Sequence, residues 1–250
     1  MNLNALLSDF SSVIKGYGYH LTEDTVRYCF FSCMLHKDNC LNHYILELPF
    51  AEIDQPLPSH YPITANISKL KKVSNSCRQE IDLFYDDGKE CLCVEFKFHR
   101  TGQLKSTYAH TDAAGSIFND LRRLKLIRSS QGKAVRRLLV YVTDTEMDNY
   151  FAQKAPVKQN PLYRNELTDF YLLPTNSFYI DGIDAIIDTP KTFKSSASGS
   201  FRTTANFGRV TKLYETFFKN PKCSSLKNEC FIKVYEVADG SNNEKPLASR

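Results

Sequence analysis

The chain has 250 residues, 42% hydrophobic and 24% charged, with a formal net charge of +4 and a pI near 8.5. These values exclude a low-complexity or strongly basic polypeptide and describe an ordinary globular protein, which they allow but do not oblige to meet nucleic acid. No stretch is apolar over bilayer length and the amino terminus lacks a basic-then-apolar leader pattern, so a soluble cytoplasmic protein without a membrane partner is expected.

In chain order, the first predicted element is a helix opening at Thr22, an N-cap residue followed by Glu23 and Asp24, whose negative charge suits a helix start. Val26, Cys29, Phe30, Cys33 and Met34 continue it at the i, i+3, i+4, i+7, i+8 spacing of an amphipathic helix. Residues 44–50 then read as a strand, and Pro56, Pro58 and Pro62 mark an irregular connection.

The segment from Glu80 to His99 reads as a hairpin. Asp87-Gly88 is a strong type I′ turn signal, and a two-residue turn there pairs Tyr85 with Glu90, Leu83 with Leu92 and Ile81 with Val94. Alternation puts Ile81, Leu83, Leu92, Val94, Phe96 and Phe98 on one apolar face, and Asp82, Cys93, Glu95 and Lys97 on the other. Asp82 then lies diagonal to Glu95, within reach of a shared cation. Hard divalent ions need only one or two carboxylates and keep waters for chemistry.

Thr111-Asp112 caps a further predicted helix carrying Ala114, Ile117, Phe118, Leu121 and Leu124 on one side. Arg122, Arg123, Lys125 and Arg128 fall mostly on other faces and, with Lys133, Arg136 and Arg137, form the densest basic stretch. It is a candidate track for DNA phosphates, or else the solvated face of the helix. Residues 136–143 close this part of the chain with a buried strand, giving the order αβββαβ. Beyond it, 147–154 read as helical, 178–187 as a hairpin or strand pair, 194–200 as a flexible loop, and 231–237 as a terminal strand.

The eight cysteines include no Cys-x-x-Cys pair, and free thiols are the default. Walker-type and dinucleotide glycine loops, His-Glu-x-x-His and Gly-x-Ser-x-Gly are all missing from the sequence.

Asp82, twelve intervening residues and then Glu95-Phe96-Lys97 resembles the motif of the PD-(D/E)xK nuclease superfamily, and the element order resembles its core. The resemblance implies an α/β fold of restriction-endonuclease-like type: an αβββαβ core with a mixed central sheet flanked by helices over 1–143. Residues 144–237 would be a C-terminal α+β elaboration of the same domain, and 238–250 a disordered tail. It implies a Mg²⁺-dependent deoxyribonuclease, with Mn²⁺ as a substitute, acting as an endonuclease of restriction, phage-defence or repair type. DNA is the expected partner, and a homodimer stays open.

Asp82 and Glu95, with the Phe96 carbonyl, would hold the metal, and Lys97 would orient or deprotonate the attacking water and offset developing charge. Glu23 would supply an additional metal-binding acid, with Glu47 as its competitor and Glu80 as a substitute for Asp82 under another register. Gln103 and Tyr108 resemble residues of the RecB-like exonuclease branch, one position too widely spaced. His99 is a candidate phosphate contact or proton-transfer group. A different-class alternative is a nucleic-acid-binding or scaffolding protein that keeps the fold without turnover.

Overall fold

The computed structural model describes residues 1–18, 20–49, 63–65, 80–100, 127–129, 133–145, 147–148, 177–179, 209–219 and 229–238, together with 113, 116–117, 120–121 and 123–125 of an intervening helix. The fold is mixed α/β. One open sheet carries seven strands: β1 (Tyr44–Pro49), β3 (Glu80–Asp86), β4 (Cys91–His99), β6 (Val135–Asp144), β7 (Ser177–Tyr179), β8 (Arg209–Lys219) and β9 (Glu229–Val237). Their order across the sheet is β1-β3-β4-β6-β9-β8-β7. A second, two-stranded sheet pairs β2 (Ile63–Ala65) with β5 (Ile127–Ser129).

Only β4 and β6 run parallel; every other pair is antiparallel. A parallel neighbour requires a crossover, and helical residues between 113 and 125 lie on it. Within the large sheet the chain runs from α2 through β1, β3 and β4, then helical residues, to β6, while β2 and β5 interrupt the expected order and pair apart from it. The elaboration beyond 144 joins the same sheet, because β9 pairs with β6 from Leu138↔Glu236 to Asp144↔Cys230.

Two helices precede the sheet where one was expected. α1 (Leu3–Gly16) is capped by Asn2, whose Oδ1 accepts the Ala5 N–H at 3.2 Å, and it buries Leu6, Leu7, Phe10 and Ile14. α2 (Glu23–Asp38) starts at Thr22, whose hydroxyl accepts the Thr25 N–H, and stops at Asn39, held at φ 55° in the left-handed region that ends helices. Phe10 of α1 meets Phe30 of α2 edge-on at 5.1 Å, and Phe30 meets Phe96 of β4 at 5.3 Å. That aromatic chain joins both helices to the sheet face holding Leu83, Val94, Val140 and Val234.

Strand β8 was not anticipated. Its alternation breaks at a bulge between Lys212 and Tyr214, so the apolar positions shift phase halfway along. Of the predicted 178–187 pair, the described residues show β7 alone, and 180–187 lie outside them. Thr145, Met147 and Asp148 are helical, with the Asp144 carboxylate accepting the Met147 N–H; 149–154, the loop at 194–200 and the tail from 239 also lie outside. Ala238, assigned by sequence to the tail, is described, and its carbonyl accepts from Lys125.

The hairpin register corrects the sequence expectation. Leu83 pairs with Val94, Tyr85 with Leu92 and Asp86 with Cys91, two residues away from the predicted register. A type I′ turn needs positive φ at both central residues, and here only Gly88 has it (φ 86°). Instead the Asp87 carboxylate accepts the N–H groups of Lys89 and Glu90, and that of Asp86 accepts Gly88, which stabilises a four-residue connection. A shift of two preserves every side chain's face.

A Cβ at Gly88 would touch nothing within 4 Å, so the backbone angle alone sets the cost of replacement. Gly88→Ala should lower stability by about 1–2 kcal/mol in urea unfolding, and Gly88→Asn by less, since asparagine tolerates this conformation. Equal midpoints for parent and Gly88→Ala would show that the turn relaxes.

Candidate metal-binding and catalytic site

The ladder between β3 and β4 ends at Leu83↔Val94. Beyond it, side chains take over the strand's hydrogen bonds. Asp82 Oδ2 accepts the Phe96 N–H at 2.7 Å, and Glu23 Oε2 accepts the Phe98 N–H at 3.2 Å. These alternate amides of β4 lie on its β3-facing edge, and unpaired buried N–H groups are costly. Two carboxylates, one from the strand and one from the first turn of α2, are thereby drawn to one short stretch of β4.

Glu95 and Lys97 project from the intervening positions of that stretch, on the face opposite Phe96. Glu95 is fully buried. Its Oε1 accepts from Arg123 Nη2 at 2.5 Å, while Oε2 lies out of solvent with no partner. Arg123 Nη2 is also 3.0 Å from Asp120 Oδ1, and Lys97 Nζ is 3.2 Å from Asp120 Oδ2 and 3.8 Å from Glu23 Oε1. On the β1 side, Arg27 of α2 places Nη2 at 2.9 Å from Asp82 Oδ1 and Nη1 at 2.9 Å from Glu47 Oε1. Glu47 sits opposite Asp82, between the Leu46↔Leu83 and Leu48↔Ile81 pairs, at φ 53°, a strained angle for a non-glycine residue in a strand.

The structure thus brings together Asp82, Glu95, Lys97 and Glu23, and adds Glu47. Glu80 pairs with Pro49 instead, and the observed register places Asp82 beside the Glu-x-Lys stretch. Two members were not foreseen. Asp120 falls at i+3 from Ile117 and i−4 from Leu124, a charge set into the apolar stripe of its helix, and Arg27 lies one turn after Glu23 beside Val26 and Phe30. A charged residue on a buried stripe is the sequence signal that marks both.

The expected basic track is not what the described residues form. Arg123 points into the acid cluster. Lys125 is buried, donating to the Ala238 carbonyl, and Arg128 turns back onto the carbonyls of Lys125 and Ile127. Lys133 pairs with Asp86, Arg136 with Glu236, and Arg137 is buried against the Ile127 carbonyl. Each described cation of the stretch has an acceptor within the protein, although Lys133 and Arg136 stay partly exposed. Arg122, Gln103 and Tyr108 lie outside the described residues.

Burial raises the Glu23 carboxyl above its usual range, with Asp82 and Asp120 adding to the shift against Lys97 and the Phe98 N–H. Burial likewise pushes Glu95 well up, helped by Asp120 and Asp82 and opposed by Arg123 and Lys97. For Lys97, burial alone would favour the neutral amine; Asp120, Glu23 and Glu95 outweigh it and hold the ammonium charged. Burial also works against the Arg123 charge, and Glu95 and Asp120 overcome it.

The cluster carries more negative than positive charge. Glu23, Asp82, Glu95 and Asp120 face the three cations Arg27, Lys97 and Arg123, and Glu47 adds a further carboxylate at the rim. Buried charge in excess is expensive, and a cation relieves it. Among the described residues no three carboxylate, histidine or cysteine side chains converge closely enough to enclose a metal by themselves. The donor set still fits Mg²⁺, which takes one or two carboxylates and completes its shell with water. The free Glu95 Oε2 is one such donor, and each Asp82 oxygen keeps acceptor capacity beyond its present bond.

Comparison of the chain with family models, with curated proteins and with solved structures found no match. The six described cysteines are free thiols. No described helix is long and apolar enough to cross a membrane. A concavity of about 470 Å³ at the hairpin tip, lined by His43, Ile45, Phe84, Asp86 and Lys133 among others, contains none of the cluster's acids.

His99 ends β4 edge-on to Tyr141 at 5.6 Å, with Nδ1 out of solvent and without a hydrogen-bond partner. Burial, with a smaller contribution from Lys97, takes its pKa down from 6.5 to about 3. The folded state therefore holds His99 neutral while the unfolded chain protonates it below pH 6.5. Stability is complete above that pH and falls as pH drops toward 3. His99→Phe should remove up to one proton from the unfolding linkage, flattening stability against pH between 6 and 4 by at most about 1.4 kcal/mol per pH unit. Parallel curves for parent and variant in urea melts would place the titration elsewhere.

Proposed function

We propose that the protein is a Mg²⁺-dependent nuclease of the PD-(D/E)xK type acting on DNA, with Mn²⁺ able to replace Mg²⁺. The observation that carries this is Glu95, buried and with one oxygen unpartnered, inside a cluster whose carboxylates outnumber its cations. Further support comes from Asp82, Glu95 and Lys97 meeting where β3 leaves β4, and from the order α2, β1, β3, β4, helix, β6 among the elements of the large sheet, with β2 and β5 pairing apart from it.

When bound, the metal would supply Lewis-acid polarisation of the scissile phosphate and an acidified water. Asp82 and Glu95 would hold it, with Glu23 as the third acid. Asp82 is fixed for that task by the Phe96 N–H, which anchors one oxygen and leaves the other at the cluster. Lys97 is held as an ammonium by three acids, so its role is to donate a hydrogen bond and positive charge to the phosphate or the water rather than to remove a proton. Arg123 and Asp120 fix Glu95 and Lys97 from the following helix. With Arg123 turned into the acid cluster, and Lys125 and Arg137 buried against protein acceptors, phosphate contacts away from the cleavage point would fall to other residues.

A second function is favoured by the arginines. Arg27 and Arg123 already pair with Asp82 and Glu95, as they would in a structural ion network of a nucleic-acid-binding or scaffolding protein. Conservative variants separate the two. For a nuclease, Asp82→Asn and Glu95→Gln should each abolish cleavage of circular and linear DNA in Mg²⁺ or Mn²⁺ while the protein stays folded. Lys97→Ala should slow single-turnover cleavage by about 10²–10³-fold with metal affinity unchanged or increased. For a structural network, neither parent nor variants cleave, and Glu95→Gln shifts stability only through its weakened bond to Arg123, which keeps Asp120 as a partner. Cleavage by the parent that survives EDTA would exclude the metal mechanism.

A further inference from the structure

The acid cluster has two halves. Around Glu95, one oxygen is unpartnered. Around Asp82 and Glu47, a guanidinium already fills the space between two carboxylates, with one N–H pointing to each at 2.9 Å. Arg27 is only 9% exposed, and its Nε lies out of solvent with no acceptor. An unused buried donor is costly, and the other bonds of this guanidinium offset that cost. The bonds fixing this one come from Asp82 on β3 and from Glu47 on β1, whose backbone adopts φ 53° at the same point.

Phosphodiester-cleaving sites with two metal ions hold them about 3.5–4 Å apart, commonly stabilising the attacking oxygen with one and the leaving oxygen with the other. A carboxylate between two such cations serves both. Asp82 is placed in that way here: Oδ1 is taken by Arg27, and Oδ2 is anchored on the Phe96 N–H beside Glu95.

Resting on the metal site proposed above, we infer that Arg27 is the resident second cation of this site, leaving one divalent ion to bind between Asp82 and Glu95. A guanidinium remains charged at every working pH and cannot acidify a water. It neutralises Asp82 and Glu47 and offers positive charge to a phosphate, while a single ion held by Asp82 and Glu95 would supply the acidified water. The chain is thereby a one-metal enzyme by construction, and removing the guanidinium exposes a second ion position between Asp82 and Glu47.

The test counts Mn²⁺ ions on the full-length protein without substrate, by isothermal titration and by the loss of free-Mn²⁺ electron paramagnetic resonance signal, with circular dichroism to follow folding. Wild type should bind one Mn²⁺ per chain, Arg27→Met two, and Arg27→Met with Glu47→Gln one again. Glu47→Gln alone, an exposed and mild change, should still bind one with affinity within about twofold of the parent, because Glu47 is engaged by the arginine and not by the resident ion. Two ions on wild type, or one on folded Arg27→Met, would overturn the inference and leave the nuclease proposal standing. Loss of the single ion in Glu47→Gln would overturn it as well, and that variant decides the matter if Arg27→Met does not fold. No Mn²⁺ on wild type or on any variant would overturn the metal site itself, and this inference with it.

Discussion

The site depends on one departure from regular pairing: the end of the β3–β4 ladder at Leu83↔Val94. An antiparallel ladder satisfies its amides with carbonyls and draws in no acids. Where it stops, the Phe96 and Phe98 N–H groups need other acceptors, and the carboxylates of Asp82 and Glu23 supply them. Because the amides of Phe96 and Phe98 alternate with the side chains of Glu95 and Lys97 on the same strand, those two bonds bring four charged residues within one stretch of β4. Removing the break would pair β4's edge with β3 and leave Glu23 and Asp82 without a reason to be there.

Rigidity comes from the opposite face. Phe96 sits between Glu95 and Lys97 and points into the core, where it meets Phe30 of α2, which in turn meets Phe10 of α1. α2 is also the element that carries Glu23 and Arg27 to the site. The packing that stabilises the fold therefore sets the spacing between the acids of α2 and those of β4. Close-packed interiors transmit displacement rather than absorb it, so a cavity at Phe30 or Phe96 acts on the charged cluster as well as on stability.

The residues most legible in sequence were those governed by alternation. The predicted register was wrong by two, because Asp87-Gly88 resembles a two-residue turn while the carboxylates of Asp86 and Asp87 stabilise a longer one. Since strand periodicity is two, Asp82, Glu95 and Lys97 kept their shared face, and the correction moved Asp82 from diagonal to adjacent. α2 was readable from its cap and stripe. α1 carries a regular stripe too, Leu6, Phe10 and Ile14 behind an Asn2 cap, but no acidic first turn of the kind that marks the start of α2. The basic stretch misled for a physical reason: helical spacing says which residues share a face but not which acid of another element waits opposite, and for Arg123 that acid was the fully buried Glu95.

Asp120 and Arg27 show what a finer sequence argument would need. Each is a charge placed on an apolar helical stripe, a conflict between local pattern and composition, and such conflicts concentrate where function or strain overrides packing. Glu47 adds a conflict of backbone to that of side chain, in that a strand residue at positive φ is disfavoured unless its neighbours hold it. Here the neighbour is Arg27, itself held by Asp82. The strained strand, the buried arginine and the ladder-capping aspartate thus form one chain of dependence running from β1 through α2 to β4, and the free oxygen of Glu95 lies at its far end.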